Sequence, residues 1–220
     1  MKEEDKIFAG TLFWPGDPEL RAIKLRAHKL SAAYSRTHED EVETRASIVG
    51  MLLGGFGEDS FMQGPVFFHY GSHTRIGRGC FFNYNLTIQD DARVTIGDYN
   101  NFGPNFTLVT PVHPMCADER RVMYDADGNA KHVCYAKPVV IGDDCWFGAN
   151  VVVCPGVTIG DRCVIGAGSV VTRDVPPDSF AAGNPCRVIR AITEADRMRH
   201  KPEGEGPYGP FRGASRGCAT

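Results

Sequence analysis

No stretch of the 220 residues is apolar for long enough to cross a lipid bilayer, and the first ten residues, MKEEDKIFAG, lack the apolar run of a signal peptide. Positive charge is not in excess either, because 24 Lys and Arg face 27 Asp and Glu, which gives a formal charge of −3. This balance offers no electrostatic reason to expect a nucleic acid or a membrane as partner. The length allows one sizeable domain, and the N-terminus indicates the cytoplasm.

Metal-binding motifs are also missing. None of the eight cysteines stands in a CxxC pair, and the seven histidines show no HExxH spacing. A structural zinc site is therefore not expected, and no metal is predicted. The cysteines are expected to be free thiols that act as small apolar residues, with disulfides as the alternative.

The second half of the chain contains a period of six residues. From residue 141 it reads IGDDCWFGANVVVCPGVTIGDRCVIGAGSVVTRDVP, and a bulky apolar residue opens each hexad. A small or branched residue follows four positions later, as at Cys145 and Cys163. The same period appears upstream, where it slips by two residues after Val94. The bulky residues of the series are Ile76, Phe82, Ile88, Val94, Ile96, Phe102, Leu108, Ile141, Phe147, Val153, Ile159, Ile165 and Val171.

A period of six fits neither an amphipathic helix nor an alternating strand. It fits a short strand followed by a corner, three of which close one triangular coil of 18 residues. Stacked coils would then bury a continuous apolar column along the axis. The alternative is an antiparallel β-sandwich with irregular Gly-rich turns, but six consecutive hexads favour the solenoid. We therefore predict a mainly β protein, a parallel β-helix with three hexapeptides per coil.

Two short helices are predicted before the coil. Apolar residues at helical spacing in PELRAIKLRAHKLSAAY indicate the first, and a similar series from Val42 to Leu53 indicates the second, with Thr37 as its candidate cap. The Gly- and Pro-rich residues 201–220 are predicted to be disordered. The predicted division is a helical segment at 1–60, a coil domain at 61–192 with a long loop at about 109–138, and a tail at 193–220.

The hexads stop between Leu108 and Ile141, and so long an insertion in a compact domain is usually functional. His113 stands near its start, in TLVTPVHPM. Pro114 restricts His113 to extended backbone and Pro111 stiffens the approach, so the imidazole is held at the edge of a rigid coil. An imidazole suits a general base at neutral pH. We predict that His113 is catalytic, the alternative being a solvated loop histidine.

A second group of polar residues interrupts the coil in FFNYNLTIQDD. These residues have three possible roles: corner residues, inward amides satisfied by the backbone, or ligands for hydroxyl groups. The spacing alone does not decide between these roles. The residues concerned are Asn83, Asn85, Asp90 and Asp91.

Residues 7 to about 192 resemble the maltose and galactoside O-acetyltransferases of the hexapeptide-repeat acyltransferase superfamily. The resemblance is carried by ELRAIKLRAHKL, NYNLTIQDD, PVHP, the hexads from 141, and AAGNPCRVIR. It implies a left-handed parallel β-helix and a homotrimer. Because the long loop must project from its own coil, we expect it to reach a neighbour and to place His113 of one chain beside Asn83 and Asp91 of the next. The resemblance also implies transfer of an acetyl group from acetyl-CoA to a hydroxyl of a sugar or sugar-like molecule, with no metal required.

The resemblance also implies roles for individual residues. His113 corresponds to the general base. Ala149 and Ala167 correspond to backbone contacts with the pantetheine arm, and Arg187 and Arg190 to contacts near the CoA nucleotide, for which a solvated surface pair is the alternative. The implied acceptor-binding residues are Asn83, Asp91 and Phe81. The implied acetyl-CoA-binding residues are Trp146, Ala149, Ala167, Thr172, Arg173, Arg187 and Arg190.

The chain departs from the family pattern around the acceptor. Cys134 stands where the maltose enzymes have glutamate, Trp14 where the family often has aspartate, and Phe81 where the galactoside enzyme has tyrosine. The loop also carries an extra stretch around DADGNAKH. These changes indicate a less polar pocket and an acceptor that is less hydrophilic than maltose.

Three other functions, and one other mechanism, compete with sugar O-acetylation through His113. The nearest is a xenobiotic or secondary-metabolite acetyltransferase of the same superfamily. A carbonic anhydrase on the same coil would need three converging histidines, for which His69, His73 and His113 lack the spacing. An acyl-cysteine route through Cys116 is a further mechanism, since this thiol lies near His113 in sequence. A non-enzymatic scaffold or sugar-binding module would have no affinity for CoA.

Overall fold

In the computed structural model, which describes residues 1–201, three mostly parallel sheets form the walls of a coil. Sheet 1 contains β1 (Gly55–Phe56), β4 (Thr74–Ile76), β7 (Val94–Ile96), β14 (Val139–Ile141) and β17 (Thr158–Ile159). Sheet 2 contains β2 (Phe61–Met62), β5 (Phe81–Phe82), β8 (Asn101–Phe102), β15 (Trp146–Phe147), β18 (Val164–Ile165), β20 (Ser179–Ala182) and the antiparallel β21 (Arg187–Ala191). Sheet 3 contains β3 (Val66–Phe68), β6 (Leu86–Gln89), β9 (Thr107–Val109), β16 (Val152–Val153) and β19 (Val170–Val171). The parallel β-helix predicted from the hexads is confirmed.

The bulky residues of the hexads form a column along the coil axis. The rings of Phe82, Phe102 and Phe147 stack face to face, with centroids 4.3 and 4.7 Å apart. The small residues four positions on also point inward, since Cys145 and Cys163 are buried. All seven cysteines in residues 1–201 are free thiols. Burial of this column is the main source of stability for coils that could not fold singly.

The early coils are longer than the predicted 18 residues. Ile76 pairs with Ile96 and Phe82 with Phe102, which is twenty residues per coil, whereas Ile141 pairs with Ile159 at eighteen. The two additional residues lie where the chain passes from sheet 3 to sheet 1, which we call the 3–1 corner. The slip in the sequence period is therefore a wider corner, and it holds Asp90 and Asp91.

The passage from sheet 2 to sheet 3, which we call the 2–3 corner, is built on asparagine. Asn85, Asn105 and Asn150 stack there with φ between 59° and 61°, the left-handed region that asparagine tolerates better than most residues. Asn85 Nδ2 donates to Asn105 Oδ1 at 2.9 Å, and Asn105 Nδ2 donates to Asn150 Oδ1 at 3.0 Å. Asn85 is therefore a corner residue.

The helices pack on the sheets and on the loop. They are α1 (Glu3–Phe8), α2 (Pro18–Tyr34), α3 (Val42–Leu52), α4 (Ala117–Arg121) and two short 3-10 turns, Glu194–Asp196 and Met198–His200. The first predicted helix is confirmed, because α2 covers the quoted segment and is capped by Asp17, whose side chain accepts from two backbone N–H groups. The proposed Thr37 cap was wrong: its hydroxyl donates to the Tyr34 carbonyl at 2.7 Å at the end of α2, and Glu41 precedes α3.

The long loop has secondary structure of its own. Strand β10 (Pro111–Val112) pairs antiparallel with β13 (Tyr135–Ala136) at its base. Beyond α4, strands β11 (Met123–Tyr124) and β12 (Ala130–Lys131) form a hairpin. His113 therefore follows directly on a paired strand at the base of the loop.

Several predictions about the organisation of the chain are left open. Parallel pairing begins at Gly55, within the segment assigned to residues 1–60, and the domain division stays a prediction. The predicted disorder of residues 201–220 lies outside the described residues, apart from Lys201. Within residues 1–201, no helix combines the length and the apolar character needed to cross a bilayer.

Replacing Phe102 with Ala should remove the middle ring of the stack and leave a cavity in the column. We expect the free energy of unfolding to fall by about 3–5 kcal/mol, measured by urea denaturation at one protein concentration. Val140→Ala, in the next coil and on the outer face of sheet 1, should change it by less than about 0.5 kcal/mol. Equal losses in both variants would contradict an axial column as the source of stability.

Candidate active site

The predicted site residues lie at two different corners of one chain. Asp91 and the loop with His113 are at the 3–1 corner, whereas Asn83 follows β5 at the 2–3 corner. Strand β6 separates the two corners, a path of about 15 Å at the rise of an extended chain. Phe81 lies on the outer face of sheet 2, where its ring stacks on Phe61 at 6.1 Å. One chain alone therefore does not bring the acceptor-binding residues together.

His113 is exposed at the base of the loop. The preceding strand is fixed by pairing of Val112 with Tyr135, and the segment after Pro114 is fixed by Arg120, whose Nη1 donates to the Pro114 carbonyl at 3.1 Å. Among residues 1–201 no hydrogen bond is made to the His113 ring. Its backbone is thus held while both ring nitrogens stay open to a ligand.

Asp91 is a buried carboxylate at the 3–1 corner, 2% exposed, and its Oδ2 has no hydrogen-bond partner among the described residues. Burial raises the pKa of Asp91 to about 7, and the neighbouring carboxylate of Asp90 adds to this effect. The hydroxyl of Tyr70, nearby, is also buried without a partner in the same part of the chain. A carboxyl and a phenol without partners are suited to bind the hydroxyl groups of a ligand, and because both atoms are enclosed in the single chain, a ligand reaches them only when this corner opens locally.

Asp90 has a structural role at the same corner. Its Oδ1 accepts from the Tyr70 N–H at 2.8 Å and its Oδ2 from the Thr74 hydroxyl at 2.7 Å. Burial raises the pKa of Asp90, while these hydrogen bonds oppose the rise. Asp90 thus fixes the backbone that presents Asp91, and of the two acidic residues only Asp91 has an oxygen without a partner among residues 1–201.

His73 holds the same corner from beneath, a role that the sequence did not reveal. Its Nδ1 lies 2.7 Å from the Asp91 carbonyl oxygen and 3.0 Å from that of Asp90, and must donate because carbonyls only accept. Its Nε2 faces Glu4 Oε1 of α1 at 3.1 Å, and its ring stacks on Tyr70 at 4.7 Å. The N-terminal helix is therefore tied to the corner that presents Asp91.

Helix α2 adds basic groups to the outer wall of this corner. His28 Nε2 lies 3.4 Å from His69 Nδ1, and burial lowers the pKa of His69 to about 4. Lys24 Nζ donates to the Pro15 carbonyl at 2.7 Å, and burial lowers the pKa of Lys24 while Asp91 opposes that shift. Lys24 and His28 lie on α2, and His69 follows β3. The sequence alone does not distinguish the two helix residues from ordinary solvent-facing surface.

Trp14 and Cys134, two of the departures from the family pattern, lie in segments that contact each other. Phe13, which precedes Trp14, pairs with Cys134 through two backbone hydrogen bonds of 2.9 and 3.1 Å. Cys134 is buried beside Asp91, and burial raises its pKa to about 12. The Lys131 ammonium covers the Trp14 ring at 3.7 Å. The segment with Phe13 and Trp14 thus holds the long loop against the coil. The apolar side chain of Cys134 packs next to Asp91.

The residues predicted to bind acetyl-CoA are spread over the later coils. Ala149 and Ala167 stack at the 2–3 corner, where the Gly168 N–H donates to the Ala149 carbonyl at 2.8 Å. Neither alanine N–H has a backbone acceptor within the described part of the chain, so both amides remain open to a ligand carbonyl. Gly148 keeps this corner tight, because a Cβ there would lie 2.6 Å from the Ala167 nitrogen.

The other predicted donor residues lie on three surfaces. Trp146 is on the outer face of sheet 2 and is 58% exposed, while Thr172 and Arg173 are exposed at the last 3–1 corner. Arg190 forms a bidentate ion pair with Asp196, with both N–O distances 2.7 Å, which lowers the pKa of Asp196 to about 2. Arg187 is exposed and donates to the Cys186 carbonyl. Of the two arginines, Arg187 has the guanidinium that is free of a carboxylate among the described residues.

The residues considered for a metal do not converge. His73 is bound to backbone carbonyls and Glu4, and His69 faces His28. Within residues 1–201 no group of three or more His, Cys, Asp or Glu is arranged to hold a metal ion.

Family models match two parts of the chain, one before the coil and one within it. Residues 6–57 match the maltose acetyltransferase hexapeptide capping motif, and residues 138–173 match the hexapeptide repeat of succinyl-transferase. The chain is 43% identical to galactoside O-acetyltransferase of Escherichia coli (strain K12) over 197 residues, which is 90% of this chain and 93% of that protein.

Two solved structures are similar over nearly their whole length. A galactoside acetyltransferase in complex with coenzyme A superposes with a TM-score of 0.81 at 43% identity, covering 89% of this chain and 94% of the other. A maltose O-acetyltransferase from Clostridium difficile 630 also gives a TM-score of 0.81, at 38% identity, covering 88% and 99%.

Replacing Asp91 with Asn should change how stability depends on pH. The folded-state pKa of about 7 lies above the ordinary 3.8, so the folded chain binds more protons than the unfolded chain between these values. The free energy of unfolding of the parent should therefore fall as pH rises from about 4 to 7. An asparagine side chain cannot ionise, so Asp91→Asn should be more stable than the parent at pH 8, by about 1–4 kcal/mol. At pH 5 the difference in free energy of unfolding between variant and parent should be smaller.

Denaturation at several pH values, at one protein concentration, measures this difference. Asp127→Asn, on the exposed tip of the loop, is the matched control and should follow the parent at every pH. A constant offset between Asp91→Asn and the parent from pH 5 to 8 would contradict a buried carboxyl with a raised pKa.

Proposed function

Because this chain belongs to the maltose and galactoside O-acetyltransferase family, we propose that it acetylates a hydroxyl of a sugar or sugar-like molecule, with His113 as general base. The chain is an acetyltransferase, and acetyl-CoA is its acyl donor. The observation that carries the proposal is the paired strand that ends at His113, beside a corner whose buried carboxyl has a free oxygen among the described residues. The cytoplasmic location stays a prediction.

His113 has the freedom and the support that a general base requires. The flanking prolines and β10 limit its backbone, and its ring is not committed to another residue of the described chain. The acceptor hydroxyl would give its proton to the imidazole as its oxygen attacks the thioester carbon. The tetrahedral intermediate would then expel the CoA sulfur, which takes the proton back from the imidazolium. The imidazole is thus regenerated in each cycle, and no covalent enzyme intermediate is needed.

The acceptor would be held by hydrogen bonds to Asp91 and Asn83. Asp91 Oδ2 has no competing partner within residues 1–201, and the Asn83 amide uses Oδ1, which accepts from the Tyr84 N–H at 2.9 Å. Phe81 provides an exposed ring of the kind that packs on the apolar face of a sugar. The buried thiol of Cys134 behind Asp91 supports an acceptor that is less hydrophilic than maltose. A secondary metabolite bearing a hydroxyl remains the second candidate on this basis.

The acetyl donor would lie against the later coils. The free N–H groups of Ala149 and Ala167 suit the amide carbonyls of the pantetheine arm, and the Trp146 ring offers an apolar surface nearby. Arg187 would meet a CoA phosphate directly, whereas Arg190 would have to exchange its pair with Asp196. Thr172 and Arg173, at the 3–1 corner, would contact the donor from the other side.

The division of these residues between two corners supports a site shared by two chains of a homotrimer. A triangular coil has three walls that closed threefold assembly can bury. The 3–1 corner of one chain, with His113 and Asp91, would then face the 2–3 corner of its neighbour, with Asn83 and Ala149. The site would still be shared between two chains, as expected from the sequence. Asn83 and Asp91, however, were expected on the same chain, whereas this arrangement places them on different chains.

Replacing His113 with Ala should lower kcat by roughly 10²–10⁴-fold and leave KM for acetyl-CoA nearly unchanged, because only proton transfer is lost. Release of the CoA thiol with a panel of sugar and non-sugar acceptors measures the activity. His132→Ala, an exposed histidine of the same loop, is the matched control and should keep full activity. Activity of His113→Ala within tenfold of the parent would refute the assignment of the base.

Mixed trimers test whether the site is shared. His113→Ala and Asn83→Ala proteins should each be nearly inactive, since each lacks one side of every site. Unfolded and refolded together in equal amounts, they should regain roughly a quarter of the parental activity, because each site draws independently on two chains. If mass spectrometry proves that subunits have mixed and no activity returns, both groups belong to one chain.

A further inference from the structure

Arg45 carries a buried positive charge that no acidic side chain of the described residues neutralises. It lies in the middle of α3 and is 5% exposed. Within residues 1–201, no carboxylate lies at ion-pair distance from its guanidinium. A buried charge without a counter-ion is costly, so neighbouring groups or a ligand must offset it.

Neutral groups offset the charge only in part. Nη2 donates to the Tyr34 hydroxyl at 2.7 Å, to the Gln63 carbonyl at 3.2 Å and to the Met62 carbonyl. The rings of Tyr34 and Phe61 lie 4.4 and 5.1 Å from the guanidinium carbon. These contacts fix the position of Arg45. They leave Nε and Nη1 without an acceptor in the described part of the chain.

Arg45 lines a cavity of about 490 Å³ between α3 and the first strands of the coil. Nε and Nη1 have no hydrogen-bond partner among residues 1–201 and are not fully enclosed, and the cavity is the space that the Arg45 side chain lines. A volume of this size is typical of small-molecule sites. The other walls are mainly apolar and include Val42, Ala46, Val49, Leu53, Phe56 and Met62.

The remaining polar groups limit which ligand would fit. The Ser60 hydroxyl is already used, since it donates to the Gly77 carbonyl at 2.7 Å. Glu39 lines the cavity and is exposed, so its carboxylate stands at the rim. A negative rim repels a doubly charged phosphate ester more strongly than a singly charged ligand. The cavity therefore combines a two-nitrogen donor for one carboxylate with walls suited to an alkyl chain.

We propose that this cavity, the Arg45 pocket, binds a monocarboxylate with a short alkyl chain. The carboxylate accepts from Nε and Nη1 of Arg45, and the chain lies along α3 toward Gly50. Ligand binding thereby completes the neutralisation that Tyr34 and the two carbonyls leave unfinished.

The Arg45 pocket lies about 14 Å from the predicted acetyl-CoA site, because three strand spacings of sheet 2 separate β2, which the pocket adjoins, from β15 with Trp146. It is one strand away from β5, where the ring of Phe81 stacks on Phe61 of the cavity lining. None of the residues assigned to acceptor or donor lines it. The proposal therefore does not depend on the proposed function.

Isothermal titration of the full-length protein with sodium octanoate tests the proposal, with 1-octanol as the matched neutral probe. Octanoate should bind with a dissociation constant of about 0.1–1 mM, as expected for a ligand of this size. Octanol should bind at least about tenfold more weakly, because it cannot form the charge-assisted pair. Saturating acetyl-CoA should leave octanoate binding unchanged.

Three variants outside the acetyl-transfer site locate the binding. Gly50→Leu should fill the cavity, since a Cβ at Gly50 meets no atom within 4 Å, and should weaken octanoate binding at least about tenfold. Ser47→Leu, exposed on α3 and outside the cavity lining, should bind octanoate like the parent. Arg45→Lys should bind it more weakly, because an ammonium lacks the two-nitrogen fork.

Four results would overturn the Arg45 pocket as a carboxylate site. The first is no saturable octanoate binding by the parent, and the second is equal affinity for octanoate and octanol. The third is displacement of octanoate by acetyl-CoA. The fourth is full octanoate binding by Gly50→Leu with a melting temperature at or above that of the parent. The Gly50→Leu result makes the test independent of Arg45→Lys, since loss of binding by Arg45→Lys would be uninformative if that variant did not fold.

Discussion

The axial column of apolar side chains is the constraint on which the rest of the structure depends. Each coil can bury its bulky residues only if the ring or aliphatic group above lies in register, as Phe82, Phe102 and Phe147 do. That register fixes the length and pairing of the strands. Only the corners between strands can therefore vary in their number of residues. The 3–1 corner uses this freedom first with two additional residues and then with the loop of about thirty residues, and it holds Asp91 and His113.

The same constraint separates the chemistry of one chain into two places. A wall of sheet 3 stands between the corner of Asp91 and the corner of Asn83, and the packed column leaves no room for a ligand inside the coil. The support around Asp91 is polar and dense: Asp90 fixes the backbone, and His73 ties it to Glu4 of α1. Asp91, which we propose to bind the acceptor, is thereby held on rigid elements, and this favours precise positioning of reacting groups.

The hexads predicted the fold because their period is a direct consequence of coil geometry. Helix α2 was predictable for the same reason, through its apolar spacing and the Asp17 cap. Helix α1 was missed because six residues carry little periodicity and its place depends on the distant His73. The buried state of Asp91 and the Phe13–Cys134 pairing were also out of reach, since both arise where segments distant in sequence meet. The role of His113 was predicted from the interrupted repeat and the flanking prolines, whereas the other site roles came from the resemblance. The separation of Asn83 from Asp91 required the strand order.

The central claim is that acetyl transfer takes place between two subunits. A crystal structure of the assembled protein with bound CoA tests it most directly. We predict that the CoA sulfur lies beside His113 of one subunit, about 3–4 Å from the imidazole, while the pantetheine arm contacts Ala149 and Ala167 of another. CoA bound along the surface of a single chain, with its sulfur remote from every His113, would contradict the account.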